Sequence, residues 1–195
     1  LDALRQPLET GRVVLARGGG AVTYPARFQL VLAANPCACG KRERDCLCAA
    51  PVKRRYEQRL SGPLLDRIDL RVRVEPVPHA DLFCPAVAPE TSAEVAARVV
   101  AARGRTAARL AGTGWQLNAE VPGAVLRREP FLPPRSVTRL AEQMLDQGTL
   151  SARGFDRVLR LAWTLADLEA RDMPTAGDVS EALGFRTGQA QSWAA

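Results

Sequence analysis

The feature that most restricts how this chain can fold is the run Phe28-Gln29-Leu30-Val31-Leu32-Ala33-Ala34, almost unbroken in apolar character and stopped by Asn35-Pro36. A strand that is apolar on both faces belongs in the middle of a parallel sheet covered by helices. A second strand pattern follows at residues 68–75. Ile68, Leu70, Val72 and Val74 alternate with Asp69, Arg71, Arg73 and Glu75, which predicts a strand with one wet face. Upstream of both, the β-prone runs 13–17 and 21–24 flank Gly18, Gly19 and Gly20 and read as a β-hairpin. A basic helix is expected between the two strands, over residues 52–60.

After Pro76 and Pro78 the period changes. Residues 79–90 are proline-rich and read as a linker, and the pattern beyond them is helical. Ser92 is expected to cap a helix reaching Leu110, and Pro134 to open a second that stops near Gly148. Ser151 is placed to cap a third, with Phe155, Val158, Leu159, Ala162, Trp163 and Ala166 along one face. Thr175-Ala176-Gly177-Asp178 has the spacing of a capping box before a short last helix, and residues 187–195 read as a frayed tail. The expected fold class is therefore α/β over residues 1–78, then an all-α domain over 91–186. Leu1, Leu4 and Leu8 fall at helical spacing, and the chain opens without Met. It is accordingly expected to be a piece of a longer protein.

Charge and cysteine usage narrow the partners. Lys and Arg number 27 against 21 Asp and Glu, a net charge of +6 that suits an acidic partner such as nucleic acid. An arginine-biased composition gives the same balance, since Lys41 and Lys53 are the only lysines. No apolar run approaches the ~20 residues of a membrane-spanning helix, and no signal-peptide pattern is present. The expectation is a cytoplasmic protein with no membrane partner. Four of the five cysteines, Cys37, Cys39, Cys46 and Cys48, crowd into residues 37–48. That favours a metal site in a reducing compartment over a secreted disulfide framework. Four thiolates can close a tetrahedral shell around Zn²⁺, with free or redox-active thiols, or a disulfide pair, as the alternatives. Cys84 lies apart, and His79, in the linker, has no catalytic partner in sight.

Three further residues sit where phosphate chemistry wants them. Asn35 ends the apolar run, and ligands of open α/β sheets bind at the carboxyl ends of strands; an amide there can orient a water near a terminal phosphate, although Asn-Pro taken alone reads first as a turn. Arg67 follows the Gly62-Pro63 turn and can project from a domain rim to stabilise a transferring phosphoryl group. A surface salt bridge with Asp66 or Asp69 would explain it equally well. Arg153 opens the third helix, where the helix dipole favours an anion and a cation wants a specific partner. The patch Lys53, Arg54, Arg55 and Arg59 suits a nucleic-acid backbone, a subunit contact or a solvated face.

The stretches LDALRQPLE, PARFQLVLAANPCACG, RRYEQRLSGPLLDRIDLRVRV and LSARGFDRVLRLAWTLADLEARD, taken together, resemble the YifB/ComM family of magnesium-chelatase-like AAA+ ATPases. The resemblance runs from Leu1 through Phe185. It implies the C-terminal half of a P-loop ATPase core, then a helical lid, with ATP and Mg²⁺ as cofactors and a homo-oligomeric, hexameric ring as the assembly. It also implies that the hairpin around Gly18 to Gly20 points toward the ring's pore. Asn35 matches sensor 1, Arg67 the arginine finger acting on a neighbouring subunit, and Arg153 the sensor 2 arginine. DNA is the implied polymer, in branch migration or helicase-like work. Chelatase-type or proteolysis-associated motors remain alternatives, as does a non-enzymatic, zinc-stabilised nucleic-acid-binding module. A G-x-x-x-x-G-K-[ST] loop does not occur in the chain, so these residues alone are expected not to hydrolyse ATP. Relatives carry the cysteine cluster directly after sensor 1, and they usually have an Arg near the position of Trp163.

Overall fold

Two adjacent glycines turn the first strand back on itself. Gly18 and Gly19 hold φ of 58° and 88°, the left-handed pair that a two-residue hairpin loop requires and that a Cβ would strain. Strands β1 (Arg12–Arg17) and β2 (Gly20–Pro25) pair antiparallel, with Arg12 opposite Pro25 and Arg17 opposite Gly20. This is the hairpin expected from the sequence. A 3-10 turn at Asp2–Leu4 and helix α1 (Arg5–Thr10) precede it. At its base the Ala26 N–H donates to the Gly11 carbonyl at 2.8 Å. Val14, Leu15, Val22 and Tyr24 are all exposed, so both faces of the hairpin are wet.

The computed structural model describes residues 1–41, 43–77 and 90–188. They form two compact units, Leu1–Ile68 and Asp69–Ala195. Most of the expected linker and tail, with His79 and Cys84, lies outside the described residues.

The apolar run 28–34 departs from expectation. No strand forms there, and Phe28, Val31 and Leu32 are exposed, Val31 by 82%. A parallel strand persists only when neighbouring strands take up its backbone N–H and C=O groups. Among the described residues the one ladder joins β1 to β2, and no third strand adds to it. The strand expected over 68–75 is likewise not formed. Only Arg73 occupies a bridge position, and the Arg71 N–H donates to the Phe185 carbonyl at 2.9 Å. The parallel layer of an α/β core is thus absent among the described residues, and the sheet is a two-stranded hairpin.

The rest of the first unit is short helices. The basic helix α2 spans Ala50–Glu57, somewhat earlier than the pattern suggested, and α3 is the single turn Gly62–Leu65, with Leu64 fully buried. Arg5 and Asp2 clasp the turn before α3: Arg5 Nη2 donates to Ser61 Oγ at 2.9 Å, and Ser61 Oγ donates to Asp2 at 2.7 Å.

The second unit is helical: α4 (Ser92–Arg109), α5 (Gly123–Leu126), α6 (Arg135–Asp146), α7 (Ala152–Leu168) and α8 (Ala176–Thr187). Helix α7 is its axis. The face predicted from sequence, Phe155 through Ala166, is buried, and the helix packs on α4, α6 and α8. Burying each large apolar side chain contributes about 1.5–3 kcal/mol. Ser151 caps α7 by accepting from the Gly154 N–H at 3.0 Å, and Thr175 with Asp178 forms the expected capping box of α8. The cap of α4 lies one residue earlier than expected. Thr91, not Ser92, accepts from the Glu94 N–H, and the Glu94 carboxylate accepts from the Thr91 N–H at 2.7 Å.

Candidate functional site

The four clustered cysteines converge. Cys37 and Gly40 close a tight turn, the Gly40 N–H donating to the Cys37 carbonyl at 3.0 Å with Gly40 at φ 71°. A 3-10 turn at Glu43–Asp45 brings the chain back to Cys46. The four Sγ atoms lie within 4.8 Å of one another, with Cys39 and Cys46 sulfurs 3.6 Å apart. A tetrahedral thiolate shell with bonds of ~2.3 Å has sulfur–sulfur edges of ~3.8 Å, so a small contraction closes this set around a metal. A disulfide needs ~2.05 Å, and all four thiols are free. Cys37 is 2% exposed, whereas Cys39 is open to water.

The thiols share their protons unequally. The Cys48 backbone N–H, then the neighbouring sulfurs, draw Cys46 down to about 7 against the opposing effect of burial. Hydrogen bonding with the other three sulfurs, reinforced by burial, pushes Cys48 up to about 12. Such a set gives up its first proton near neutrality and holds the last against accumulated negative charge. A dication supplies the compensation that lets all four ionise. The donor set can therefore hold a thiophilic metal.

Asn35 is exposed and stands beside this turn: a Cβ built on Gly40 would lie 3.9 Å from its Nδ2. Arg67, just past α3, donates from Nη1 to the Pro63 carbonyl at 2.7 Å and pairs through Nη2 with Glu9. Its side chain is 14% exposed, and its buried Nε has no hydrogen-bond partner among the described residues. The counterion is thus Glu9, not the Asp66 or Asp69 that proximity in sequence suggested; Asp69 pairs with Arg157. Arg153 is exposed in the first turn of α7, in the second unit.

Sequence reasoning missed one buried constellation. Asp167 accepts from Arg109 through both oxygens, at 2.5 and 2.7 Å, and from Thr106 at 2.7 Å and Asn118 at 3.0 Å. The Arg109 guanidinium also lies 4.2 Å from the centre of the Trp163 ring, whose Nε1–H donates to the Phe131 carbonyl at 2.9 Å. Trp163 is 2% exposed and belongs to the core, as its place on the apolar face predicted. Asp167's partners lie 49 to 61 residues away in sequence, so no local spacing announces them.

Comparison with known proteins identifies the class. The family described as "Magnesium chelatase, subunit ChlI" matches residues 1–82, and "Magnesium chelatase, subunit ChlI C-terminal" matches residues 89–186. The chain belongs to this magnesium chelatase family. Among its relatives, Rv2897c of Mycobacterium tuberculosis is 51% identical over 187 residues, covering 95% of this chain and 37% of that protein. YifB of Escherichia coli is 38% identical, covering 95% and 36%. Competence protein ComM of Haemophilus influenzae is 37% identical with the same coverage. The chain thus spans little more than a third of the length of these relatives. No helix among the described residues is long and apolar enough to cross a membrane.

Proposed function

We propose that the chain is the sensor-and-lid part of an ATP-hydrolysing AAA+ motor. The motor forms a hexameric ring in the cytoplasm and works on DNA, in branch migration or helicase-like remodelling during recombination or transformation. The observation that carries this is the tandem family match, core then C-terminal domain, across residues 1–82 and 89–186. The likeness to ComM, a relative named for competence, supports DNA as the polymer. Residues 1–78 then contribute part of the nucleotide-binding core, with the β1–β2 hairpin facing the pore, and residues 91–186 the lid.

Bound ATP and Mg²⁺ supply the phosphoryl group and the metal charge. Asn35, an exposed amide, orients water near that group. Arg67 reaches a neighbouring subunit's nucleotide, exchanging its resting partner Glu9 for phosphate oxygens; its fixed fork of donors suits both anions. Arg153 clamps phosphates from the lid. Zn²⁺ on Cys37, Cys39, Cys46 and Cys48 is structural, holding the loop that follows Asn35. The deciding experiment is Arg67→Ala in the full-length protein. Nucleotide affinity should stay close to wild type while ATP turnover falls by ~10³–10⁵. Turnover at the wild-type level overturns the assignment.

A further inference from the structure

Helix α2 has an inner and an outer side. Lys53 and Tyr56 of α2, and Leu60 beyond its end, are the half-buried positions, whereas Arg54 and Arg55, with Gln58 and Arg59 just past the helix, are exposed. Arg54 and Arg55 stand in the last turn of α2 and Arg59 in the turn just past its end, so three guanidinium groups gather within six residues, where like charges repel. Among the described residues nothing offsets that cost. Among the described residues, none of Lys53, Arg54, Arg55 and Arg59 carries an ion pair or a side-chain hydrogen bond, and Glu57, the one carboxylate in residues 50–60, is unpaired as well. Elsewhere in the chain arginines find acids: Arg5 pairs with Asp2, Arg67 with Glu9, Arg109 with Asp167 and Arg171 with Asp178. Complementing the helix dipole needs a single cation in the last turn, not three arginines.

The patch is also held in place. Cys48 lies two residues before the first residue of α2, so the thiol cluster fixes the helix at its start. A protein partner would want a desolvated apolar centre ringed by charge. Here the centre itself is guanidinium, and the apolar side chains nearby, Leu47 and Val52, lie to one side in sequence. A wet, strongly cationic surface is the composition of a nucleic-acid interface.

We infer that the outer face of α2, formed by Arg54 and Arg55 with Lys53 at its edge, together with Arg59 in the turn that follows, docks the phosphate backbone of nucleic acid without reading base sequence. The inference takes from the DNA-motor reading only the choice of polymer, and it concerns a surface apart from the β1–β2 hairpin.

The test is equilibrium binding of the full-length protein, without nucleotide, to a fluorescein-labelled duplex of mixed sequence across a potassium chloride titration. Each phosphate contact contributes ~0.9 to the slope of log affinity against log salt, so Arg54→Ala/Arg55→Ala/Arg59→Ala should flatten that slope by about 2–3 and weaken binding at least ~10-fold near physiological salt. The matching triple Arg→Lys protein keeps the charges and should keep the slope. Both variants should retain the wild-type metal-to-protein ratio and the wild-type ATP turnover in the absence of DNA. An unchanged slope in the alanine variant, equal loss in the lysine variant, or tighter capture of polyglutamate than of duplex overturns the inference. If the protein turns over no ATP at all, the motor reading fails while this binding measurement still decides the patch.

Discussion

Asp167 is 1% exposed and still ionised. Burial by itself would raise its pKa, but the hydrogen bonds donated by Arg109, Thr106 and Asn118 outweigh burial and hold the carboxyl below its ordinary value. Asp178 follows the same balance: burial opposes, and Arg171 with the Thr175 backbone prevails. Both groups are therefore ionised in the folded and unfolded chain at neutral pH, where their full contribution is present. On acidification the unfolded chain takes up protons first, near ~3.9, so stability falls from that point downward through the lower folded pKa values. Acid unfolding of the helical unit, followed by circular dichroism, should begin below about pH 4–5 and shift upward in Asp167→Asn. Asp167→Ala leaves Arg109 uncompensated and should cost about 3–5 kcal/mol in urea unfolding. Replacing both partners, Arg109→Met with Asp167→Leu, should cost less than that single change. None of this was legible beforehand. The caps at Ser151 and Thr175 were, because a cap and its N–H lie three residues apart, whereas Asp167 gathers partners through the packing of α4 on α7.

At the scale of elements, local chemistry predicted best where it was sufficient by itself. The Gly18-Gly19 turn and the apolar stripe of α7 needed no distant partner to declare their structure, and both formed. The run 28–34 was misjudged for the converse reason. Its pattern specifies what must surround it, and a strand is a property of its neighbours as much as of its own residues. The cysteine loop stands between these cases, with spacing that suggested a shell and folding that brings the sulfurs together. Removing metal should release that loop. A strong chelator is expected to render all four thiols reactive to a disulfide reagent and to reduce helicity at α2, while α7 and its partners keep theirs. Loss of helical signal throughout the protein, or thiols that react equally before chelation, would contradict a structural metal at this position.

For the whole molecule, the first unit carries Asn35, Arg67 and the cysteine cluster, and the second carries Arg153. Family membership was legible only as a resemblance, carried by four sequence stretches spread over both units. The assembly follows only from the proposed function, and it has its own test. An arginine that completes a neighbouring subunit's site should poison mixed rings. Adding Arg67→Ala subunits to wild type should depress ATP turnover more steeply than dilution predicts, whereas simple proportionality would mean that Arg67 serves its own subunit.

Trp163 lies in the dry centre of the helical unit, beneath a guanidinium and bonded to a carbonyl. Its indole emission is thereby tied to whether α4 stays docked on α7. With Trp115 and Trp193 changed to Phe, Trp163 is the one tryptophan left in these residues, an optical gauge of whether the helical unit stays packed that needs no attached dye.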